Sequence, residues 1–204
     1  MRVPRLYLTA LISILFIHSS VGQNVDLDSL KARLKGSKTD SISCEICIDI
    51  CTNYIRQNTD SALLYLDMAK RLAEKSYDEK LWARSRTGDI NRAFGNIKLF
   101  NNRFAEAIGY YKLAAEQYEK LTICSDTVVA QKSNIGLSDL YVNIGVTYTR
   151  MGIFDLAMEH YIKALKMYEN LNNIGGMASC YLGVGTLRYY QNEIEPALES
   201  LKRS

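Results

Sequence analysis

Proline is almost missing from this chain: Pro4 and Pro196 are the only two in 204 residues. A proline in a helix interior costs about 3 kcal/mol, so its scarcity leaves long stretches free to run as uninterrupted helix. Abundant Ala, Leu, Tyr and Lys agree with an all-α fold. Beyond residue 17 there is no apolar run of the roughly 20 residues that a membrane-spanning helix needs. Charge of one sign is lacking too, with 25 Lys and Arg against 22 Asp and Glu and no basic run, which excludes nucleic acid as the expected partner. The chain has no phosphate-cradling glycine loop, no nucleophile elbow and no metalloprotease motif. His160 stands alone after residue 22, between Glu159 and Tyr161, without a second histidine. The neighbouring acids Glu193 and Glu195 sit where a helix starts, so the helix dipole accounts for them. The expectation is a protein with no catalysis, no cofactor and no metal.

The first 22 residues read as a separate unit. Met1 to Arg5 is short and basic. Leu6 to Ile17 is an apolar core broken only by Thr9 and Ser13, and Ser20 and Gly22 put small residues just before Gln23. This is the pattern of a secretory signal peptide over residues 1–22. No cysteine follows the apolar core, so a lipid anchor is not expected. Loss of Arg2 and Arg5 takes the basic count from 25 to 23 against 22 acids. The expected product is an exported protein, periplasmic or secreted, of bacterial type. Membrane attachment would enter only through sequence continuing beyond Ser204.

What is present is a spaced set of glycines. Gly95, Gly145 and Gly185 each fall inside a helical pattern, where glycine costs roughly 1 kcal/mol against alanine. Three such positions need a packing reason. Each is followed twelve residues later by an alanine (Ala107, Ala157, Ala197), so the expectation is that a second helix crosses the first at that glycine–alanine pair. Gly145→Leu is expected to overpack the contact and cost about 1–3 kcal/mol.

The clearest unit runs from about Leu137 to Asn170 and reads Tyr141-x2-Ile144-Gly145-x2-Tyr148, then Gly152, Phe154, Ala157-x3-Tyr161 and Ala164. It resembles the tetratricopeptide repeat, with Glu169 in place of the closing proline. The unit before it carries Phe94-Gly95, Phe104, Ala107-x3-Tyr111 and Ala114, departing at Asn91 and Lys98. The unit after it carries Tyr181-x2-Val184-Gly185 and Ala197-x3-Leu201, departing at Arg188. An earlier unit has Ala62-x3-Leu66 and Ala69, and its first helix fits when the turn is one residue short, with Cys47, Ile50, Cys51 and Tyr54 on the core stripe. Equivalent alanines lie 45, 50 and 40 residues apart, so the extra length falls between repeats. Asp126 is a candidate N-cap there. Helices are expected at roughly 43–57, 60–75, 78–101, 103–121, 127–151, 154–171, 174–191 and 194–204. Residues 23–42 form a lead-in with at most one short helix, Leu27 to Leu34.

The resemblance implies a tetratricopeptide domain over residues 43–204: a right-handed superhelix of stacked antiparallel helix pairs, about four repeats, the last one truncated. In this family the first helices line a concave groove. Carried onto this chain, the groove positions are Asp89, Arg92 and Asn96, then Asp139, Val142, Asn143, Val146 and Arg150. Arg92, Asn96 and Asn143 resemble part of the clamp with which some members hold a terminal carboxylate, but Ser179 and Gly183 stand where two basic residues belong. The implied function is an exported scaffold that binds a peptide or partner protein in the groove. The alternative is the periplasmic sensing portion of a truncated regulator, whose histidine kinase or DNA-binding output would lie beyond Ser204. The chain stops in mid-pattern without a polar capping helix, so self-association through the last repeat is a further expectation.

Five cysteines remain to be placed. Cys44, Cys47 and Cys51 have spacing that first suggests a metal, yet zinc sites usually pair two such clusters, and Cys124 and Cys180 stand apart. At helical spacing 44, 47 and 51 share an apolar stripe with Ile48, Ile50 and Tyr54, so core packing is expected, with a disulfide or redox role and a metal as the alternatives. Most tyrosines fall on repeat core positions, and those off the stripe are candidate binding anchors.

Overall fold

The computed structural model describes residues 26–75 and 81–204. The leader expected over residues 1–22 and the first residues of the helix expected from 78 lie outside the described residues. Among the described residues there are nine α-helices: α1 (Leu27–Gly36), α2 (Asp40–Tyr54), α3 (Thr59–Glu74), α4 (Leu81–Phe100), α5 (Phe104–Leu121), α6 (Thr127–Met151), α7 (Phe154–Asn170), α8 (Ile174–Tyr190) and α9 (Ile194–Lys202). No strand occurs among the described residues. From α2 onward the helices form antiparallel pairs, α2/α3, α4/α5, α6/α7 and α8/α9. Each second helix also packs on the first helix of the next pair, and the first helices α2, α4, α6 and α8 touch one another in sequence. That arrangement gives an inner layer of first helices and an outer layer of second helices.

Local chemistry sets the boundaries. The Asp126 carboxylate accepts from the backbone N–H groups of Val128 and Val129, both at 3.0 Å, so the expected cap exists and α6 runs unbroken for 25 residues. Helix α2 begins earlier than its apolar pattern indicates because the Thr39 side chain caps it, accepting from the Ile42 N–H. The turns inside the last three pairs each need a left-handed residue, and Asn102 (φ 60°), Gly152 (φ 75°) and Asn192 (φ 63°) supply it. These are the residue types that tolerate that region at least cost.

The glycines do permit close helix contact, but the filler is not the alanine. A Cβ on Gly95 would lie 2.3 Å from the Tyr111 ring, one on Gly145 2.8 Å from Tyr161, and one on Gly185 2.8 Å from Leu201. The side chain that occupies each notch therefore sits sixteen residues on, one helical turn past the alanine. Four more glycines do the same work. Gly88 and Gly136 both face the Tyr118 ring, Gly183 joins Gly145 on Tyr161, and Gly176 receives Tyr168. Tyr111, Tyr118, Tyr161 and Tyr168 are all fully buried, and they are the bolts that join one helix pair to the next. Burying an aromatic side chain of this size contributes roughly 2–3 kcal/mol.

Four of the five cysteines are core. Cys44, Cys47 and Cys51 are each 0% exposed and pack with Ala62, Leu66, Ala69 and Ala73 of α3. On the other side of α2, Ile46 and Ile50 receive Leu30 of α1. All five thiols are free. Burial pushes Cys44 and Cys51 up to about 12 and Cys47 up to about 11, with Cys180 likewise at about 12. A thiol held that high is unreactive at neutral pH, because the thiolate is the nucleophile. Among the five, only Cys124 is not buried. A native thiol titration at pH 8 is therefore expected to label Cys124 rapidly and the other four only after denaturant is added. Fast native labelling of the α2 cysteines would contradict this packing.

His160 of α7 lies between Tyr141 and Tyr148 of α6, with ring centroids 5.7 Å and 5.6 Å away, and its Nδ1 is buried without a hydrogen-bond partner. Burial, and then the Lys163 ammonium, pull its pKa below the ordinary 6.5, while Glu159 opposes them. The imidazole is thus held neutral in the fold, whereas the unfolded chain takes up a proton near pH 6.5. Stability is expected to be flat above that pH and to fall as pH drops from 6.5 toward the lowered folded value. Urea midpoints between pH 7.5 and 5 check this: His160→Phe should remove that part of the slope.

Candidate functional site

The inner layer presents a continuous wall built from the same helical face of each first helix. On α2 the positions are Glu45, Ile48, Asp49 and Thr52; on α4 Arg86, Asp89, Arg92 and Asn96; on α6 Asp139, Val142, Val146 and Arg150, with Asn143 alongside. Spacings of three and four residues bring each set onto one face, and contacts between helices fix which face it is. Arg86 pairs with Glu45 on the preceding first helix and, at 2.9 Å, with Asp89 on its own. Arg92 reaches Asp89 at 3.7 Å and Asp139 of α6 at 3.3 Å. The result is one alternating ladder, Glu45–Arg86–Asp89–Arg92–Asp139, crossing three helices.

The ladder is anchored from behind by the buried tyrosines. The Tyr118 hydroxyl donates to Asp89 Oδ1 at 2.6 Å, and the Tyr168 hydroxyl donates to Asp139 Oδ1. Tyr111 donates to Asn96 Oδ1 at 2.8 Å, and the same oxygen accepts from Asn143 Nδ2 at 3.0 Å. Each tyrosine thus ties an outer helix to a wall residue of its own pair. Burial works against the charge on Arg92, but Tyr118, Asp139 and Asp89 outweigh it and hold the guanidinium above its ordinary value. Desolvation of the Tyr118 hydroxyl, with Asp89 beside it, pushes that phenol well above 10 even though Arg92 pulls it down. Hydrogen bonds to charged groups of this kind contribute roughly 1.5–3 kcal/mol each.

All eight groove positions can now be located. Asp89, Arg92, Asn96, Asp139 and Asn143 come together in the ladder and the asparagine pair bridging α4 and α6. Val142 and Val146 are half-buried against the cluster of Ala157, Tyr161 and Leu187, and Val142 also packs on that of Ala164, Tyr168 and Cys180. Arg150 sits at the far end of α6, where it donates to Leu99 O at 2.9 Å and Asn102 Oδ1 at 2.5 Å and lies over the Phe104 ring. It staples α6 to the preceding turn. Of the clamp-like trio, Arg92 is committed to two carboxylates and Asn143 spends an amide hydrogen on Asn96. Sequence reading missed Glu45, Asp49 and Arg86. The signal was there: once the short turn is allowed, Glu45 takes in the first unit the place that Asp89 and Asp139 take in the next two.

Among the described residues, no group of three or more His, Cys, Asp and Glu stands where it could hold a metal ion, and no helix is long and apolar enough to cross a membrane.

Helix pairs stacked through small-residue notches, with a layer of first helices along one side, define an all-α helical-repeat solenoid. Residues 136–204, the last third of the chain, match the tetratricopeptide repeat model, and the preceding pairs repeat the same packing. No curated protein matches the chain. Tetratricopeptide repeats generally mediate protein–protein interaction, and the helical-repeat fold is consistent with an interaction scaffold.

Proposed function

We propose that this chain is an exported, non-catalytic scaffold that holds a peptide or a segment of a partner protein against the wall formed by α2, α4, α6 and α8. The observation that carries the reading is the wall itself. It is continuous over successive first helices, rigidified by the ladder and by tyrosines bolted through glycine notches, and it mixes polar and apolar positions. A rigid wall loses little entropy when a ligand docks, which favours affinity. The leader-like residues 1–22 support export.

Site-specific photocrosslinking in the source cell tests the binding face. A benzophenone side chain at Val146 on the wall should yield discrete adducts, and the same group at the exposed outer position Ile162 should not. Adducts confined to Ile162 would move the binding face to the outer helices. N-terminal sequencing of the protein from the extracytoplasmic fraction tests export, with Gln23 expected as its first residue.

A further inference from the structure

The charges on the wall are not equally committed. Arg86 is held by Glu45 and Asp89, Arg92 by Asp89 and Asp139, and Arg150 by a backbone carbonyl and Asn102. Asp89 and Asp139 are taken up by those arginines and by two tyrosine hydroxyls. Two acids at the α2 end are left less satisfied. Glu45 stays exposed and meets Arg86 with a single oxygen. Asp49, one turn further along, is solvent-accessible and forms no ion pair with any described residue. The groups that face it are Glu45 on its own helix, Arg33 on α1, and Arg86 and Asp89 on α4. Partial desolvation and then Glu45 raise its pKa, while Arg86 and Arg33 pull it down without closing on it. The spare charge of the wall is therefore acidic and lies on α2. Two helices away the wall turns apolar, at Val142 and Val146.

Resting on the groove reading above, we propose that the ligand is a basic peptide segment. A lysine or arginine is set against Glu45 and Asp49, and apolar residues are set against Val142 and Val146. Neighbouring helices lie about 8–10 Å apart, so α2 and α6 are separated by roughly 16–20 Å, which an extended chain at about 3.3 Å per residue crosses in five or six residues. The ligand class is thus defined by sign and by spacing. At the wall positions named on α2, α4 and α6 every arginine is already paired, so an acidic segment finds no uncommitted cation there and a carboxylate-terminated peptide is disfavoured.

Fluorescence anisotropy with two labelled peptides tests this. One carries two lysines followed, six residues on, by two leucines in a Gly/Ser background; its twin has glutamates for the lysines. The lysine peptide is expected to bind at least ten-fold more tightly than the twin. It should weaken at least five-fold in both Asp49→Asn and Thr52→Arg, and weaken further when salt is raised from 50 to 300 mM, as partly exposed charges require. Both substitutions are at exposed positions, and far-UV circular dichroism confirms their folding. Equal binding of the twins, tighter binding of the glutamate peptide, no binding of either, or indifference to Asp49→Asn overturns the basic-ligand inference. Val146→Arg separates that failure from failure of the groove reading. If both twins bind equally and both are lost in Val146→Arg, the groove stands and only the charge preference falls. If the lysine peptide binds and ignores Val146→Arg, Asp49→Asn and Thr52→Arg alike, it binds off the wall and the groove reading falls with it.

Discussion

Gly95→Ala will destabilise this protein by about 2 kcal/mol, although alanine is the better helix former by roughly 1 kcal/mol. The new methyl group would stand 2.3 Å from Tyr111 Cε1 and 2.5 Å from Cδ1, well inside contact distance. The ring has nowhere to go. It is 0% exposed, and its hydroxyl is held by Asn96, which Asn143 of the next repeat also engages. Forcing a methylene-sized group into a filled core costs typically 1–3 kcal/mol, and here a rigid aromatic flank puts the cost at the upper end. At this chain length 1 kcal/mol corresponds to about 2–4 °C in Tm, so a drop of roughly 4–8 °C is expected. Gly109→Ala is the control of opposite sign. Gly109 is also inside a helix, α5, but is exposed with nothing within 4 Å of its would-be Cβ. Propensity alone decides there, and a gain of up to about 1 kcal/mol is expected. Tyr111→Leu in the Gly95→Ala background should cost less than the two changes summed, because it empties the space the methyl needs. A Gly95→Ala protein that melts at or above the wild-type temperature would falsify the notch.

The contrast between those two glycines also marks how far the sequence could be read. Helix positions were legible because glycine, alanine and aromatic residues recur at fixed offsets and because Asp126 and Gly152 punctuate them. The partner of each glycine was not. An alanine twelve residues on and a tyrosine sixteen on lie on the same helix face, one turn apart, and periodicity alone cannot say which fills the gap. Volume can: an alanine leaves a notch open, a tyrosine closes it. The pairing of Gly136 and Gly176 with the tyrosines of the preceding repeats was hidden for another reason. It joins different repeats, and only the stacking geometry brings those residues together. On the wall, the places of Asp89, Arg92 and Asp139 were readable from the repeat frame. Their partners were not, because an arginine at a groove position reads identically whether it waits for a ligand or is spent on its neighbours. The first repeat was hardest to read, since its shortened turn shifts the frame by one residue and conceals that Glu45 continues the series.

Arg92 carries the second large expected effect, and it decides between those two uses of a groove arginine. Arg92→Ala is expected to cost about 2–3 kcal/mol, somewhat under the 3–5 kcal/mol seen when one partner of a fully buried pair is removed. The discount is for water: the Arg92 side chain is 26% exposed and that of Asp139 38%, although Asp89 is only 16% exposed. The substitution leaves the Asp89 and Asp139 carboxylates on adjacent helices with like charge and no cation between them. Each still accepts from a buried tyrosine hydroxyl, so neither can turn out to solvent without stranding that donor. If the loss arises from stranded charge, Asp139→Asn made on top of Arg92→Ala should cost less than Asp139→Asn alone, a coupling that a double-mutant cycle measures directly. Lys75→Ala provides the baseline: its partner Asp40 lies at a similar 3.2 Å, but the two side chains are 73% and 42% exposed, and an exposed pair contributes at most about 1 kcal/mol. A loss in Arg92→Ala no larger than that in Lys75→Ala would mean the guanidinium is free in solution, and the wall would then have a cation to offer an acidic ligand. A loss of the expected size places Arg92 inside the architecture and leaves the acids of α2 as the charge that a partner meets.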